Sequence, residues 1–245
     1  MLYSVTNTTR LIDCITSQLA ELDSLSLSNG LLEQVRLDRI RLMVRHIETS
    51  FPEHFGHGER TANYALLIGN AINLTKEQVI DLHYAALLHD LGLLTIPGSL
   101  NNNTAPLTLD EYVRVQSHPR AGAALLMPYS FLSEPARLIA HHHERWDGAG
   151  YPYGLRGAYI PVSSRILAIA DAFDVIANRA GTYDAALRTL HASSGSQFDP
   201  SLLATFCRLM EDEDNRLPAQ LFGKPLSAKE TCRSLQSQTS TMDHR

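Results

Sequence analysis

Helix start signals recur along this chain, and they constrain its fold more than any other feature. Four of them are Thr75 with Gln78, Thr108 with Glu111, Ser133 before Glu134-Pro135, and Asp199 before Pro200. The first two pairs have the spacing of capping boxes, and the last two have a cap residue followed by an early proline. Candidate strands are few, and none is paired by a hairpin signal. We therefore predict an all-α fold.

The spacing of apolar residues divides the chain into three parts. From Leu31 onward such residues recur at helical intervals, and a helix is predicted over Gly58 to Ile72. A shorter helix is predicted over Leu11 to Leu22, followed by a turn or linker over Ser24 to Gly30. We expect a helical N-terminal extension over residues 1–30, a helical body over 31–212, and a loosely ordered polar tail over 213–245.

Composition excludes some classes of function. With 245 residues and a net charge of −5, the chain lacks the basic balance expected of a protein that binds polymeric nucleic acid. The three cysteines contain no CxxC pair, which favours a reduced, cytoplasmic compartment. The first residues do not have the pattern of a signal peptide, and no apolar run reaches the roughly 18 residues of a membrane span.

Histidines and acids form an ordered series that points to metal binding. Its members are Glu53, His57, His89, Asp90, His118, the run His141-His142-His143, and Asp171. Glu53 and His57 lie four apart and would share one helix face, whereas Asp90 and Asp171 each end an apolar run. A single His-Asp pair is more simply explained as a buried hydrogen bond, but the whole series is not. Imidazole and carboxylate suit iron, manganese or zinc, and the set exceeds one ion's needs, so two or three clustered ions are expected.

The series resembles the HD superfamily of metal-dependent phosphohydrolases, and further motifs resemble its HD-GYP branch. The signature is the segment His142-His143-Glu144-Arg145-Trp146-Asp147-Gly148-Ala149-Gly150-Tyr151-Pro152. The resemblance runs from about Glu53 to Met210 and implies an HD-superfamily helical bundle. It also implies that the series binds metal through Glu53, His57, His89, Asp90, His118, His142, His143 and Asp171. In this set of ligands, Asp90 would bridge two ions, and Glu53 would help to hold a third.

The family's usual substrate is cyclic di-GMP, which is cut to pGpG or GMP by metal-activated water. The resemblance therefore implies a phosphodiesterase with His89 and Asp90 as its catalytic pair and two or three divalent ions, iron or manganese first. The residues expected to contact the substrate are Gly148, Gly150, Tyr151, Asp174 and Arg179. A homodimer formed through the amphipathic N-terminal helices is compatible with the sequence.

The chain departs from the family at two places: at Leu93, and after Arg179, where Ala180-Gly181 replaces the end of the family's Arg-Pro-Tyr segment. The family has a lysine three residues after the HD aspartate, where this chain has Leu93, so Asp174 is expected to lack its usual partner. Losing one charged phosphate contact would cost roughly 1.5–3 kcal/mol without abolishing catalysis. Two alternatives to an active phosphodiesterase therefore stay open. One is a metal-loaded module that binds a cyclic dinucleotide for regulation, and the other is a phosphohydrolase for a different nucleotide.

Overall fold

The computed structural model describes residues 2–49, 54–97, 108–180 and 182–212. Within these ranges the α-helices are α1 (Leu2–Ser24), α2 (Asn29–Glu48), α3 (His57–Ala71), α4 (Lys76–Leu88), α5 (Leu109–Val115), α6 (His118–Leu126), α7 (Ser133–Ile139), α8 (Val162–Ala180), α9 (Tyr183–Ala192) and α10 (Pro200–Leu209). Short 3-10 helices cover Leu91–Thr95, Ser130–Leu132 and Gly157–Tyr159. The described chain contains no strand longer than the isolated bridge between Ser194 and Phe198, so the all-α prediction is confirmed.

Three of the four predicted helix starts are confirmed. The capping boxes at Thr75 and Thr108 both form, and the carboxylate of Asp199 accepts hydrogen bonds from the first turn of α10. The predicted cap at Ser133 is wrong. The 3-10 helix Ser130–Leu132 runs directly into α7, so Ser133 is already helical, and its hydroxyl donates back to the carbonyl of Ser130.

The N-terminal helix is longer than predicted and packs against the body of the protein. It covers Leu2–Ser24 rather than Leu11 to Leu22, and Leu19 is fully buried in the same hydrophobic core as the later helices. The hydroxyl of Tyr129 donates to the carbonyl of Thr16 at 2.9 Å, which ties the helix to the segment before α7. A domain boundary at residue 30 stays a prediction, and the predicted tail over 213–245 lies outside the described residues.

The core is centred on α3, which packs against α4 and α8. Its largest members are aromatic: the ring of Phe173 on α8 lies 4.9 Å from that of Tyr64 on α3 and 4.9 Å from that of Phe206 on α10. Both pairs have the edge-to-face geometry that aromatic rings prefer. None of the described helices has the length and apolar character needed to cross a membrane.

Two glycines bring the segment after α4 against α6. A methyl group at Gly92 would lie 2.0 Å from the carbonyl oxygen of His118 and 2.6 Å from the backbone nitrogen of Gly122. Only glycine allows this approach of one backbone to another. The contact holds the His89-Asp90 end of α4 beside the start of α6.

Candidate metal centre

The predicted ligands that the structure describes come together at one place, and most of them lie at helix ends. His57 is the first residue of α3, His89 and Asp90 directly follow α4, and His118 is the first residue of α6. His142 and His143 follow α7, and Asp171 lies within α8. α5 ends at Val115, and His118 starts α6, with Pro119 in the first turn, where proline is tolerated.

The ligands form two groups that could each hold an ion. One group consists of His57, His89 and Asp171, and the other of His118, His142 and His143. The Nε2 atoms of His57 and His89 lie 3.2 Å apart, and those of His118 and His142 lie 3.3 Å apart. Two nitrogens that each lie about 2.0–2.1 Å from one tetrahedral ion are separated by about 3.4 Å, so both spacings fit shared coordination.

Asp90 lies between the two groups. Its Oδ2 is 3.4 Å from Nε2 of His89 and 3.9 Å from that of His57, whereas its Oδ1 is 3.6 Å from Nε2 of His118. Each carboxylate oxygen therefore faces a different group. This arrangement suits a carboxylate that bridges two ions.

Backbone carbonyls fix which ring nitrogen of each histidine faces the centre. Nδ1 of His89 contacts the carbonyl of Ala86 at 2.8 Å, and Nδ1 of His142 contacts that of Ile139 at 2.7 Å. His118 makes the same kind of contact. Because a carbonyl only accepts, Nδ1 must carry the hydrogen, and Nε2 then presents a lone pair to the centre. The Nε2 lone pairs of His118 and His142, which face each other at 3.3 Å, repel unless a cation lies between them, so these residues fit a metal centre.

Burial and mutual charge hold the second group neutral. Burial lowers the pKa of His143 to about 4. It also lowers the pKa of His118, and it holds that of His142 well below the ordinary value. Neutral imidazole is the form that binds metal.

The first group and Asp90 are more strongly charged. Burial opposes a charge on His57, but hydrogen bonds to Asp171 and Asp174 outweigh it and raise the pKa of His57. Burial likewise opposes ionisation of Asp90 and Asp171, yet the neighbouring histidines hold the pKa of both carboxyls well below the ordinary value. Carboxylates that attract a proton to His57 attract a metal cation to the same place.

Asp174 has a partner, contrary to the expectation drawn from Leu93. Nε and Nη2 of Arg60 donate to its two carboxylate oxygens at 2.6 and 2.9 Å, and Nδ1 of His57 donates to Oδ2 at 2.7 Å. Asp174 is 2% exposed. It therefore orients the ring of His57 from behind, and in this structure its carboxylate faces His57 and Arg60 rather than an open pocket. Leu93 is buried too, and it lines a cleft beside His54 and Asp90.

The signature loop is held by a residue that the sequence did not single out. The buried carboxylate of Glu144 accepts hydrogen bonds from the backbone of Tyr153 at 2.7 Å and of Leu155 at 2.9 Å. Gly148 has a φ of 83°, and a methyl group at Gly150 would lie 2.4 Å from the backbone nitrogen of Arg145. Both glycines are thus explained by the shape of the loop. Contacts of these glycines with a substrate stay a prediction.

Two other predicted substrate residues lie in different surroundings. The ring of Tyr151 is half-buried and lies 5.0 Å from the ring of His143, so it borders the metal centre. Arg179 is exposed near the end of α8. Their contacts with a substrate also stay predictions.

His54 also lies at the centre, although it was not among the ligands predicted from the sequence. Its Nδ1 is 3.3 Å from Oδ2 of Asp90. Glu53 was predicted from its helical spacing to His57, whereas α3 begins only at His57, after the left-handed Gly56. Glu53 itself lies outside the described residues. An imidazole three residues before a predicted ligand was the available signal for His54.

Comparison with known proteins agrees with this geometry. A family model described as an HD domain matches residues 41–202. A relative named cyclic di-GMP phosphodiesterase response regulator RpfG, from Xanthomonas campestris, is 40% identical over 157 residues, covering 61% of this chain and 42% of that protein. A Vibrio cholerae relative named 3'3'-cGAMP-specific phosphodiesterase 3 is 32% identical, covering 70% of this chain and 39% of that protein.

Solved structures show the same fold. A structure titled as a cyclic GMP-AMP specific phosphodiesterase of V. cholerae has a TM-score of 0.57 at 22% identity, covering 80% of this chain and 53% of the other. A structure titled as Bd1817, a HDG"Y"P protein from Bdellovibrio bacteriovorus, has a TM-score of 0.58 at 17% identity, covering 85% of this chain and 73% of the other. The chain belongs to the HD domain family, and its signature segment places it in the HD-GYP branch. Its match spans less than half the length of the two curated relatives described above.

Proposed function

We propose that this chain is a metal-dependent phosphodiesterase that hydrolyses cyclic di-GMP to pGpG, GMP or both. The observation that carries the proposal is the position of Asp90, whose carboxylate lies between two groups of residues that could each hold a metal ion. A two-ion centre of this kind is used for phosphoester hydrolysis. The choice of cyclic di-GMP as the substrate follows the relatives that are named as cyclic di-GMP phosphodiesterases.

We infer that the centre holds at least two divalent ions, with iron or manganese the first candidates. The group of His57, His89 and Asp171 would hold one ion, and the group of His118, His142 and His143 the other. Bound ions would supply Lewis-acid stabilisation of the phosphoryl oxygens and a water of lowered pKa.

The chain's own residues position these parts. Asp174 fixes the ring of His57, and the carbonyls of Ala86 and Ile139 fix those of His89 and His142. A centre fixed in this way loses little free energy to reorganisation when charge develops on the substrate. Gly148, Gly150, Tyr151 and Arg179 remain the candidates for contact with the dinucleotide, whereas Asp174 acts through His57.

A second candidate substrate is 3'3'-cGAMP. Three of the relatives from Vibrio cholerae are named as specific for it, at 29% to 32% identity. Cyclic di-GMP and 3'3'-cGAMP differ in one base, so the metal centre alone does not choose between them. Binding with weak turnover, for regulation, is the alternative that Leu93 favours.

The test is turnover by purified protein loaded anaerobically with iron or, separately, with manganese. Cyclic di-GMP, 3'3'-cGAMP and a generic phosphodiester are supplied in parallel, and linear products are separated by chromatography. We expect cyclic di-GMP to be consumed faster than the generic ester. Binding of cyclic di-GMP without any linear product from a protein that holds two ions would support the regulatory alternative instead.

Asp90→Asn provides the matched control because it keeps the shape of the side chain and removes its charge. We expect this variant to lose measurable turnover and to hold fewer ions, since one carboxylate faces both groups. Near-normal turnover of Asp90→Asn would contradict the two-ion account. A homodimer formed through the N-terminal helices, a cytoplasmic location and the absence of a polymeric nucleic-acid partner stay predictions.

A further inference from the structure

A cavity of about 140 Å³ lies between α1 and α2, and none of its lining residues is a candidate metal ligand. Its apolar lining consists of one buried side chain and three that are half-buried or exposed: Leu22, Leu25, Leu27 and Val35. An apolar cavity of this size holds a molecule about as large as benzene. The cavity therefore has room for one aromatic ring or a branched chain of similar size.

The two helices that form the cavity are tied together beside it. Nε of Arg36 on α2 donates to the carbonyl of Leu22 on α1 at 3.3 Å. Arg36 directly follows the lining residue Val35, is 8% exposed, and has its guanidinium carbon 4.2 Å from the centre of the Phe131 ring. The cavity is thus part of the packed structure, and a ligand meets walls that are already in place.

Charged side chains of opposite sign border the same cavity. Glu21 lies on α1 beside Gln18, and Arg39 lies on α2 one turn after Val35. Among the described residues, neither the carboxylate of Glu21 nor the guanidinium of Arg39 has an ion-pair partner. They can therefore provide the counter-charges for an ammonium group and a carboxylate group of a ligand.

We propose that this cavity binds a free amino acid with an apolar side chain, such as phenylalanine or leucine. The ligand's side chain fills the apolar space, Arg39 binds its α-carboxylate, and Glu21 binds its α-ammonium group. Arginine suits the first role because its planar guanidinium presents donors to both carboxylate oxygens. The proposal does not rest on the metal centre or on the proposed hydrolysis.

The test is a titration of the purified full chain with L-phenylalanine, followed by NMR of isotope-labelled leucine and valine methyl groups. L-Alanine, N-acetyl-L-phenylalanine and L-phenylalanine amide are titrated in parallel, because they lack the ring, the ammonium group and the carboxylate, respectively. Arg39→Gln removes the partner of the carboxylate, and Val35→Trp fills the cavity. Arg45→Gln is the matched control, since Arg45 is exposed on α2 and does not line the cavity. Melting curves of all variants report the fold.

We expect L-phenylalanine to bind with a dissociation constant of about 1 mM or below, as is typical for a ligand of this size. Its ring should shift the methyl resonances of Leu22, Leu25, Leu27 and Val35. Each of the three analogues should bind at least about 10-fold more weakly, because it lacks either one charged contact or the buried ring. Arg39→Gln should weaken L-phenylalanine by a similar factor, Arg45→Gln should not, and Val35→Trp should remove saturable binding.

Three results would overturn the proposal. They are the absence of saturable methyl shifts up to about 10 mM L-phenylalanine, equal affinities for L-phenylalanine and L-alanine, and equal affinities of Arg39→Gln and wild type. Arg39 lies outside the hydrophobic core, so Arg39→Gln decides the question even where Val35→Trp lowers the melting temperature. A dimer that binds none of the probes and that Val35→Trp converts to a monomer, measured by light scattering, would assign the cavity to a second copy of the chain instead.

Discussion

Replacing Arg60 with glutamine tests whether the support behind His57 matters. The change removes a guanidinium that binds both oxygens of Asp174, at 2.6 and 2.9 Å. His57 and Asn178 would remain as partners of that carboxylate, at 2.7 and 3.1 Å. Asp174 would then keep His57 as its one ring partner and lose the guanidinium that binds both of its oxygens.

The structure sets the size of the effect. The side chains of Arg60 and Asp174 are 13% and 3% exposed, so this pair is largely removed from water. Breaking a buried pair costs about 3–5 kcal/mol, and the two remaining partners favour the lower end, about 3 kcal/mol. For a chain of this size that is a fall of about 6–12 °C in melting temperature. Because Asp174 orients a predicted metal ligand, affinity for the ion at His57 should fall about 10-fold.

The assay combines thermal melting with metal titration, and Arg137→Gln is the control. Arg137 makes a similar bidentate ion pair with Glu134, but the two side chains are 51% and 44% exposed. An exposed pair contributes about 0.2–1 kcal/mol, so this control should melt within about 4 °C of wild type. Equal melting temperatures and equal metal affinities for Arg60→Gln and wild type would refute the argument that Arg60 supports His57 through Asp174.

Three further predictions concern packing and pH. Leu93→Lys should lower the free energy of unfolding by about 2 kcal/mol, because an ammonium enters a buried position, whereas Leu93→Met should have little effect in the same denaturant titration. Gly92→Ala should lower the free energy of unfolding by about 3 kcal/mol, because the added methyl group would lie 2.0 Å from the carbonyl oxygen of His118. The control is Gly30→Ala, which should be neutral or stabilising because nothing lies within 4 Å of the added methyl group. Equal effects of the two substitutions would contradict the packing argument. Burial lowers the pKa of His83 from 6.5 in the unfolded chain to about 4 in the folded protein. As the pH falls from about 6.5 to about 4, the unfolded chain is therefore protonated at His83 before the folded protein, and the free energy of unfolding decreases. His83→Gln should flatten this slope in melts between pH 7 and pH 4, and an unchanged slope would count against it.

Local chemistry explains why much of the fold could be predicted from sequence. The capping boxes at Thr75 and Thr108 are contained within four residues, so the sequence shows both partners. The start of α7 was misplaced because a preceding 3-10 turn, which leaves no strong pattern, runs into the helix at Ser133. The full length of α1 was missed because its first turns lack regular apolar spacing.

The sequence predicted that the candidate ligands come together, but it did not predict the residues that hold them in position. His57, His89, Asp90 and Asp171 follow an ordered pattern that a resemblance can carry. The pairing of Arg60 with Asp174 joins residues 114 positions apart, and nothing local to either residue indicates it. The expectation of an unpaired Asp174 followed from looking only at position 93, although the guanidinium comes from α3.

The meeting of ligands from separate stretches of chain has a consequence for the protein's lifetime in the cell. Without a cation, the fold must hold the facing Nε2 lone pairs of His118 and His142 3.3 Å apart, which disfavours the native state. A cation present at 100 times its dissociation constant stabilises the native state by about 2.7 kcal/mol. When metal is scarce, more protein molecules would therefore unfold and be degraded by proteases. This loss of protein would come before any fall in the turnover rate of each molecule. The metal supply of the cell would then set the abundance of this protein as well as its activity.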